Sequence, residues 1–240
     1  MRLAIVATTL LLTTGSLFAQ ESKFEFGIEG GPSMQINPNT LKTNKYYNTH
    51  LYKPSVGYSI TPTFQYNFHR NFGLRVGLGY QNLRYSNTNI PIYQQSDEPL
   101  INPYHHIGNL NVKSSVNSFI IPVQIRASFG KKTQFFANIG TNMTISTSAK
   151  DKYNFIPFPG QSSNELPQGT KIRSDYDISF GLLTGVGVKI PVNDRLNFTM
   201  EARNETTLLR FSNMPYRDGR YKNSIEVIPS VLFGISYKFK

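Results

Sequence analysis

The chain has 240 residues, no cysteine and a formal net charge of +11. The lack of cysteine excludes disulfides and a lipid anchor on an N-terminal cysteine. Its basic residues are spread over several segments, which argues against nucleic acid as a partner and favours basic loops near anionic lipid headgroups.

The first residues resemble an export signal. Arg2 precedes an apolar run from Leu3 to Leu12, and small residues end the segment with a plausible cleavage site after Ala19. This order is typical of a secretory signal peptide, so we expect residues 1–19 to be removed and residues 20–240 to form the mature domain. No later segment is apolar and long enough for a spanning helix, so in a membrane the mature chain would have to be a closed barrel.

Eight segments of the mature sequence alternate between apolar and small polar residues. In SVGYSITPTFQYNF, from Ser55 to Phe68, every second residue is aromatic, aliphatic or proline, and the others are Ser, Gly, Thr, Gln or Asn. Side chains of a strand point alternately to its two faces, so each segment predicts a strand with one apolar face. In chain order the predicted strands are 23–34, 55–68, 72–81, 118–129, 133–145, 178–190, 196–205 and 224–239.

The connections between these strands alternate in length. Three are short, at 69–71, 130–132 and 191–195. The four long ones are 35–54, 87–115, 150–176 and 210–223. Short periplasmic turns and long extracellular loops are typical of transmembrane barrels, and an even strand number returns both termini to the periplasm.

The distribution of charge indicates which medium the apolar faces meet. None of their positions carries Asp, Glu, Lys or Arg, and a lipid-facing Arg or Lys near the bilayer midplane would cost about 2 to 4 kcal/mol. The alternative is a secreted soluble barrel that encloses a ligand, but the opposite face has too few charges for an aqueous exterior. The sequence therefore predicts an all-β fold, an eight-stranded antiparallel up-and-down transmembrane β-barrel in the outer membrane, with short periplasmic turns and long extracellular loops.

Two further features concern the strands themselves. Aromatic residues cluster beside the short turns, where an interfacial belt is expected. They are Phe68, Phe72, Phe129, Phe135, Phe198, Tyr237 and Phe239. Pro62, Pro122 and Pro229 fall inside predicted strands and each removes a ladder donor, so we expect β-bulges at these three positions.

The strand sequences FIIPVQIRASFG, FFANIGTNMTIS, FGLLTGVGVKI and VLFGISYKFK resemble those of the PorT-like outer-membrane β-barrel family of Bacteroidota. The resemblance covers the whole mature chain through its strands, and it implies an outer-membrane barrel. For function it implies an accessory role in protein secretion or envelope assembly.

An eight-stranded barrel has an interior that side chains can fill. The inward parity supplies five acids and five bases, and buried charges need partners. We expect a lumen charge network, acting as a structural plug, of Glu25, Glu29, Arg75, Arg126, Lys189, Glu201, Arg203, Glu205, Glu226 and Lys238. A narrow ion or proton path is the alternative use of the same residues.

Some small barrels act on lipid or peptide at the extracellular mouth, so the few residues that could act as bases are candidates for catalysis. These are His50, His105, His106, Asp175 and Asp177, all in or beside the predicted long loops. No nucleophile elbow or HExxH spacing accompanies them. We therefore expect a non-enzymatic protein with no cofactor and no metal.

The long loops hold aromatic and basic residues that suit recognition. The candidates are Lys42, Lys45, Tyr46, Tyr47, Lys53, Arg217, Arg220, Tyr221 and Lys222. They could bind a partner protein or glycan, or simply attract lipopolysaccharide phosphates. The expected partners are outer-membrane lipid, lipopolysaccharide and envelope or secretion proteins, around a monomeric barrel.

Overall fold

Ten β-strands make up almost all of the structure, a computed structural model that describes residues 23–36, 51–95, 104–159, 169–173, 177–212 and 225–239. The strands are β1 (Phe24–Met34), β2 (Leu51–His69), β3 (Phe72–Gly77), β4 (Gly79–Gln95), β5 (Tyr104–Phe129), β6 (Gln134–Pro157), β7 (Gly169–Arg173), β8 (Asp177–Pro191), β9 (Leu196–Ser212) and β10 (Glu226–Lys238). None of the described residues belongs to a helix with the length and hydropathy needed to cross a bilayer.

The sheet closes on itself. All pairings are antiparallel, and β1 pairs with β10. β3 and β4 lie end to end between β2 and β5, and β7 and β8 lie end to end against β6. The ring therefore has eight strand positions, which confirms the predicted eight-stranded barrel.

The predicted faces are also confirmed. Side chains of the apolar parity point outward, as with Val186 at 62% and Ile235 at 57% exposure, while the opposite parity is buried inside the ring. We name the two ends of the barrel by their connections. The turn end carries residues 70–71, 130–133 and 192–195, and the hairpin end is the opposite one. The seven predicted belt aromatics all lie beside the turn end.

The bulges expected at Pro62, Pro122 and Pro229 are absent, and this prediction was wrong. The pairing continues in register past Pro62 on its β1 side, past Pro122 on its β6 side and past Pro229 on its β9 side. The chain instead interrupts the neighbouring strand at Leu78, between β3 and β4. Leu78 donates its N–H to the carbonyl of Pro62 at 3.2 Å, but Pro62 has no N–H to return.

Three register shifts lie where the wall changes surroundings, and others lie at the turn end and within the hairpin wall. One lies between Ser55 and Tyr58, another between Asn117 and Ser118, and a third between Phe180 and Gly181. Each adjoins an outward aromatic residue at the upper edge of the apolar band, namely Tyr58, Phe119 or Phe180. Because a bulge inserts one residue on one strand, the inward and outward parity changes there.

Two predicted long loops are mainly strand, so the predictions of loops at 87–115 and 150–176 were wrong in extent. β4 runs to Gln95, β5 begins at Tyr104 and β6 runs to Pro157. These segments extend the barrel on one side as a sheet that we call the hairpin wall, residues 83–95, 104–116 and 148–157. Its inner face is mainly apolar and includes the packed cluster Ile107, Leu110 and Phe155. His105 and His106 accordingly lie in β5 and not in a loop.

Candidate functional site

The most densely charged place in the described structure is the centre of the lumen. Glu201, on β9, accepts hydrogen bonds from three arginines. The distances to its carboxylate are 3.4 Å from Arg75 Nη1, 3.2 Å from Arg126 Nη2 and 2.7 Å from Arg203 Nε. Arg75 and Arg126 come from β3 and β5, so these contacts join strands on different sides of the ring.

A second carboxylate completes this cluster. Glu29, on β1, accepts hydrogen bonds from Arg75 Nη2 and from Arg203 Nη2, the latter at 2.5 Å. Arg75 Nη2 also lies 3.2 Å from the hydroxyl of Thr63. The two glutamates therefore hold three guanidinium groups between them, and each arginine contacts at least one carboxylate.

Nearer the turn end, Lys189 and Glu25 form a separate pair. Lys189 Nζ lies 2.5 Å from Glu25 Oε2, and the Ser236 hydroxyl donates to Glu25 Oε1. Towards the hairpin end, Glu205 accepts a hydrogen bond from Asn142 Nδ2 at 3.0 Å.

In and around the central cluster, the buried basic and acidic residues are equal in number. The four cations Arg75, Arg126, Lys189 and Arg203 face the four acids Glu25, Glu29, Glu201 and Glu205, all at most 5% exposed. Taking an isolated charge out of water is costly, and a carboxylate that meets guanidinium groups offsets this cost only if its hydrogen bonds are made. The arrangement acts as a cross-link between strands that are far apart in sequence.

One inward aromatic residue supports the network and was not recognised in the sequence. The Arg126 guanidinium carbon lies 3.8 Å from the centre of the Phe136 ring, a distance suited to a cation–π interaction. Gly187 leaves room for that ring, because a Cβ there would lie 2.5 Å from its edge and 2.3 Å from the Met200 carbonyl oxygen. Phe136 sits on the polar parity, which also carries the buried aliphatic residues Ile120, Leu183 and Leu232.

Little space remains around the network. A cavity of about 10 Å³ lies beside Glu25, Thr63, Arg75 and Arg126. That volume holds about one water molecule. At this level the lumen is filled by side chains.

Other residues predicted for the network lie at the two ends of the barrel. Glu226 is buried near the hairpin end and forms a two-point ion pair with Arg210, with Nη1–Oε1 and Nη2–Oε2 distances of 3.0 and 2.7 Å. Lys238 is half-buried at the turn end, opposite Glu25 in the β1–β10 register. Arg210 opens the predicted loop at 210–223, so the alternation pattern offers no reason to pair it with Glu226.

Asp151 was also missed. It is buried and accepts a hydrogen bond from Ser114 Oγ at 2.7 Å, on the inner face of the hairpin wall. The prediction that residues after Lys150 form a loop hid its alternating position in β6. Had the strand been extended past the bulge, its parity would have indicated an inward carboxylate.

Most of the proposed loop and base residues lie outside the described residues. These are Lys42, Lys45, Tyr46, Tyr47, Arg217, Arg220, Tyr221, Lys222, His50 and Asp175. Lys53 is exposed on β2 and pairs with Ser86, and Asp177 begins β8. Within the described ranges, no group of three or more His, Cys, Asp or Glu residues is placed to hold a metal ion.

Comparison with known proteins gives a family and several similar folds. The family model described as outer membrane protein beta-barrel domain matches residues 18–213. No curated protein that was compared with the sequence matches it. Similar solved structures include the attachment invasion locus protein Ail of Yersinia pestis, with 12% identity, 92% of this chain and 100% of that chain covered, and a TM-score of 0.45.

Two other solved structures are similar over the same extent. OprG from Pseudomonas aeruginosa has 14% identity, 91% and 97% coverage of the two chains, and a TM-score of 0.48. Neisserial surface protein A has 13% identity, 91% and 98% coverage, and a TM-score of 0.41.

Proposed function

We propose, from the premise that the chain belongs to the outer membrane protein β-barrel domain family, that it is a non-enzymatic anchor presenting a binding surface at the hairpin end. The protein resides in the outer membrane, and its outward apolar band meets lipid. The favoured setting is protein secretion or envelope assembly, in which the barrel is an accessory that holds another envelope protein.

The observation that carries this proposal is the contrast between the two halves of the molecule. Buried ion pairs cross the lumen and side chains fill its centre, which suits a rigid anchor and leaves no wide pore there. The hairpin wall continues β4, β5 and β6 beyond the apolar band, with its own packed cluster of Ile107, Leu110 and Phe155. A stiff sheet outside the membrane is a suitable support for recognition.

The proposal includes three more specific assignments: the secretion setting, export through a signal peptide and a monomeric state. The PorT-like resemblance supports the secretion setting, and the sequence of residues 1–19 supports export through a signal peptide. The closed ring of eight strand positions, in which β1 pairs with β10, supports a monomer. Lys53, which pairs with Ser86 of the hairpin wall, is the described member of the residues predicted for recognition.

Shortening the hairpin wall tests the proposal. Replacing residues 88–111 by an Asn-Gly turn joins Asn87 and Val112, which are register partners. We expect this variant to keep the barrel, seen as a folded band that shifts on heating in gel electrophoresis. It should show the same phenotype as deletion of the whole protein and should no longer capture the envelope partner in a pull-down through the barrel.

The control is a deletion at the opposite, turn end of the barrel. Removal of Lys131 and Lys132 from the 130–133 connection should leave partner capture intact. Retained function in the shortened-wall variant would place the activity in the barrel and contradict the proposal. Loss of function in a His105→Ala and His106→Ala double variant with partner capture unchanged would favour an enzyme acting on lipid or peptide at the mouth.

The orientation can be checked separately. Short turns and both termini face the periplasm in outer-membrane barrels. A tag inserted next to Ser162 should therefore react with antibody on intact cells, whereas a tag after Lys240 should react only after the outer membrane is opened. Labelling of the C-terminal tag on intact cells would reverse the topology.

A narrow ion path is a second candidate, and one observation favours it. The side-chain amides of Gln81 and Gln124 are buried at 1% exposure and make no hydrogen bond with any described residue. Buried amides in proteins are usually satisfied, often by ordered water. Conductance in planar bilayers that changes on Glu201→Gln would support this candidate, and electrically silent bilayers would count against it.

A further inference from the structure

The outward face of the barrel changes character above the apolar band on one side only. On β4, β5 and β6 it carries four exposed cations, Arg84, Lys113, Lys150 and Lys152, which we call the basic patch. Arg84 pairs with Ser115, which pairs with Lys150; Lys113 pairs directly with Lys152. Register partners share a face of the sheet, so the four side chains project from the same face of the wall.

The patch is compact. Neighbouring strands lie about 4.8 Å apart and alternate residues of a strand about 6.7 Å apart, so the four Cα atoms fall within roughly 12 Å. An open depression of about 520 Å³ on the wall is lined by all four cations. Among the described residues no carboxylate forms an ion pair with any of them.

This arrangement is unfavourable without an anion. Like charges directly opposite each other on neighbouring strands destabilise a sheet, and Lys113 and Lys152 are such a pair. Lys150 adds a third cation two residues from Lys152 on the same face. A bound anion would turn this repulsion into attraction.

A layer of ordered polar side chains lies just below the cations. Asn117 Oδ1 accepts hydrogen bonds from the Tyr80 hydroxyl at 2.8 Å and from Asn82 Nδ2 at 2.6 Å. Asn82 Nδ2 also lies 2.9 Å from Ser115 Oγ, and Asn82 Oδ1 accepts from Arg84 Nε at 2.9 Å. The Arg84 guanidinium is therefore held against the wall at a fixed place.

The height of the patch indicates the kind of anion. Tyr58, Tyr80 and Phe119 form the upper edge of the outward apolar band, where acyl chains end. Arg84 follows Tyr80 by four residues, about 13 Å along a strand, which is about 10 Å in height at the usual tilt of 35–45°. The headgroup layer begins at that edge, and long basic side chains bend back towards it.

The opposite side of the barrel differs at this height. There the outward residues of β8, β9 and the start of β10 include the exposed Ile178, Phe211 and Ile225. The cations are thus gathered in one sector and do not form a ring. A ring would match general attraction to an anionic surface, whereas one sector matches a single bound molecule.

We propose that the basic patch binds the phosphate groups of a phosphorylated glycolipid of the outer leaflet, with its sugar over the Tyr80–Asn82–Asn117 layer and its acyl chains against Tyr58 and Phe119. The inference rests on the proposed function in one respect, the placement of the hairpin end outside the cell. It assigns a lipid ligand to the outward base of the hairpin wall, separate from residues 88–111, on which the partner-capture test depends.

The test is binding of purified lipopolysaccharide to the mature barrel in phospholipid nanodiscs. We expect the triple variant Lys113→Gln, Lys150→Gln and Lys152→Gln to weaken binding at least tenfold. The matched control is Arg70→Gln, Lys131→Gln and Lys132→Gln at the turn end, which removes the same charge and should change affinity less than twofold. Heat-dependent gel mobility confirms that both variants are folded.

Three further arms identify the ligand. Lipopolysaccharide stripped of its phosphates should bind the wild type as weakly as intact lipopolysaccharide binds the patch variant. Inorganic phosphate at millimolar concentration should not displace the glycolipid. Equal loss of affinity in patch and control variants, no effect of removing the phosphates, or full displacement by inorganic phosphate would each overturn the proposal.

The same variants separate this inference from the proposed function. The patch variant should still capture the envelope partner, because the partner-capture test removes residues 88–111 of the hairpin wall and none of the four cations lies in that segment. Failure of glycolipid binding with intact partner capture would remove the inference alone, and a reversed tag orientation would remove both.

Discussion

Replacing Val186 with arginine is expected to prevent most of the protein from assembling in the outer membrane. Val186 faces outward at 62% exposure, near the middle of β8, between Phe180 and Ile190. At that depth the arginine side chain cannot reach either water layer without distorting the bilayer. A lipid-facing arginine near the midplane costs about 2 to 4 kcal/mol. The measurement is the folded fraction after insertion into lipid vesicles, read from the heat-dependent shift in gel mobility.

The same change at Val192 is a close control. Val192 is exposed to a similar degree, 66%, but lies in the 192–195 turn at the end of the barrel. The cost of arginine falls to about 0 to 1 kcal/mol near the interfaces. Equal assembly of the Val186→Arg and Val192→Arg variants would show that the outward face of β8 does not meet hydrocarbon.

Replacing Glu201 with glutamine is expected to destabilise the barrel strongly without changing its shape. The substitution removes one charge that three arginines share, and these arginines remain buried with Glu29 as the only other carboxylate that contacts two of them. Breaking a buried ion pair by removing one partner costs about 3 to 5 kcal/mol. Urea unfolding of the barrel in vesicles measures the change in the free energy of unfolding.

Two variants accompany this measurement. Glu226→Gln breaks the pair with Arg210, whose side chain is 34% exposed. Exposed ion pairs contribute little, so this variant should lose about 1 kcal/mol of unfolding free energy at most. Adding Arg126→Met to Glu201→Gln should recover part of the lost stability, because the double variant leaves fewer unpaired charges. Additive effects of the two substitutions would contradict direct coupling across the lumen.

The sequence predicted the barrel where one face of each strand meets lipid. Within the bilayer band, the alternation is clear because charges are excluded from one face and crowding favours small polar residues at most positions of the other. Val186 and Lys189 could therefore be assigned to opposite faces without a structure. The short turns and the belt aromatics, such as Phe72 and Phe129, are predictable for a related reason, because both lie where strands leave the bilayer.

The prediction failed above the band because the physical rule changes there. In the hairpin wall the outer face meets headgroups and water, so Arg84 and Lys113 point outward, while Leu83 and Leu110 point inward. The apolar residues therefore lie on the inner face in the hairpin wall, whereas they lie on the outer face within the bilayer band. The extra residue at the register shift beside Asn117 also changes the parity of β6, which a simple count of alternating positions does not detect.

The partners inside the lumen could not be read from parity. Alternation shows that Arg75, Arg126 and Glu201 point inward, but it does not show which groups meet. Their contacts depend on ring closure and stagger, which bring β3 and β5 against β9 over separations of 126 and 75 residues. The prolines illustrate the same limit. Pro62 causes no bulge in its own strand, and the interruption lies opposite it at Leu78, between β3 and β4.

A single-cysteine scan of β10 tests the central claim that apolar residues face lipid and polar residues fill the lumen. The sequence has no cysteine, so each introduced residue from Ser230 to Ser236 is the only labelling site. A spin label at each position, in protein reconstituted into lipid vesicles, reports collisions with oxygen, which concentrates in hydrocarbon. High oxygen accessibility at Val231, Phe233 and Ile235, with low accessibility at the residues between them, is the predicted result. The opposite phase, or equal accessibility at all seven positions, would contradict it.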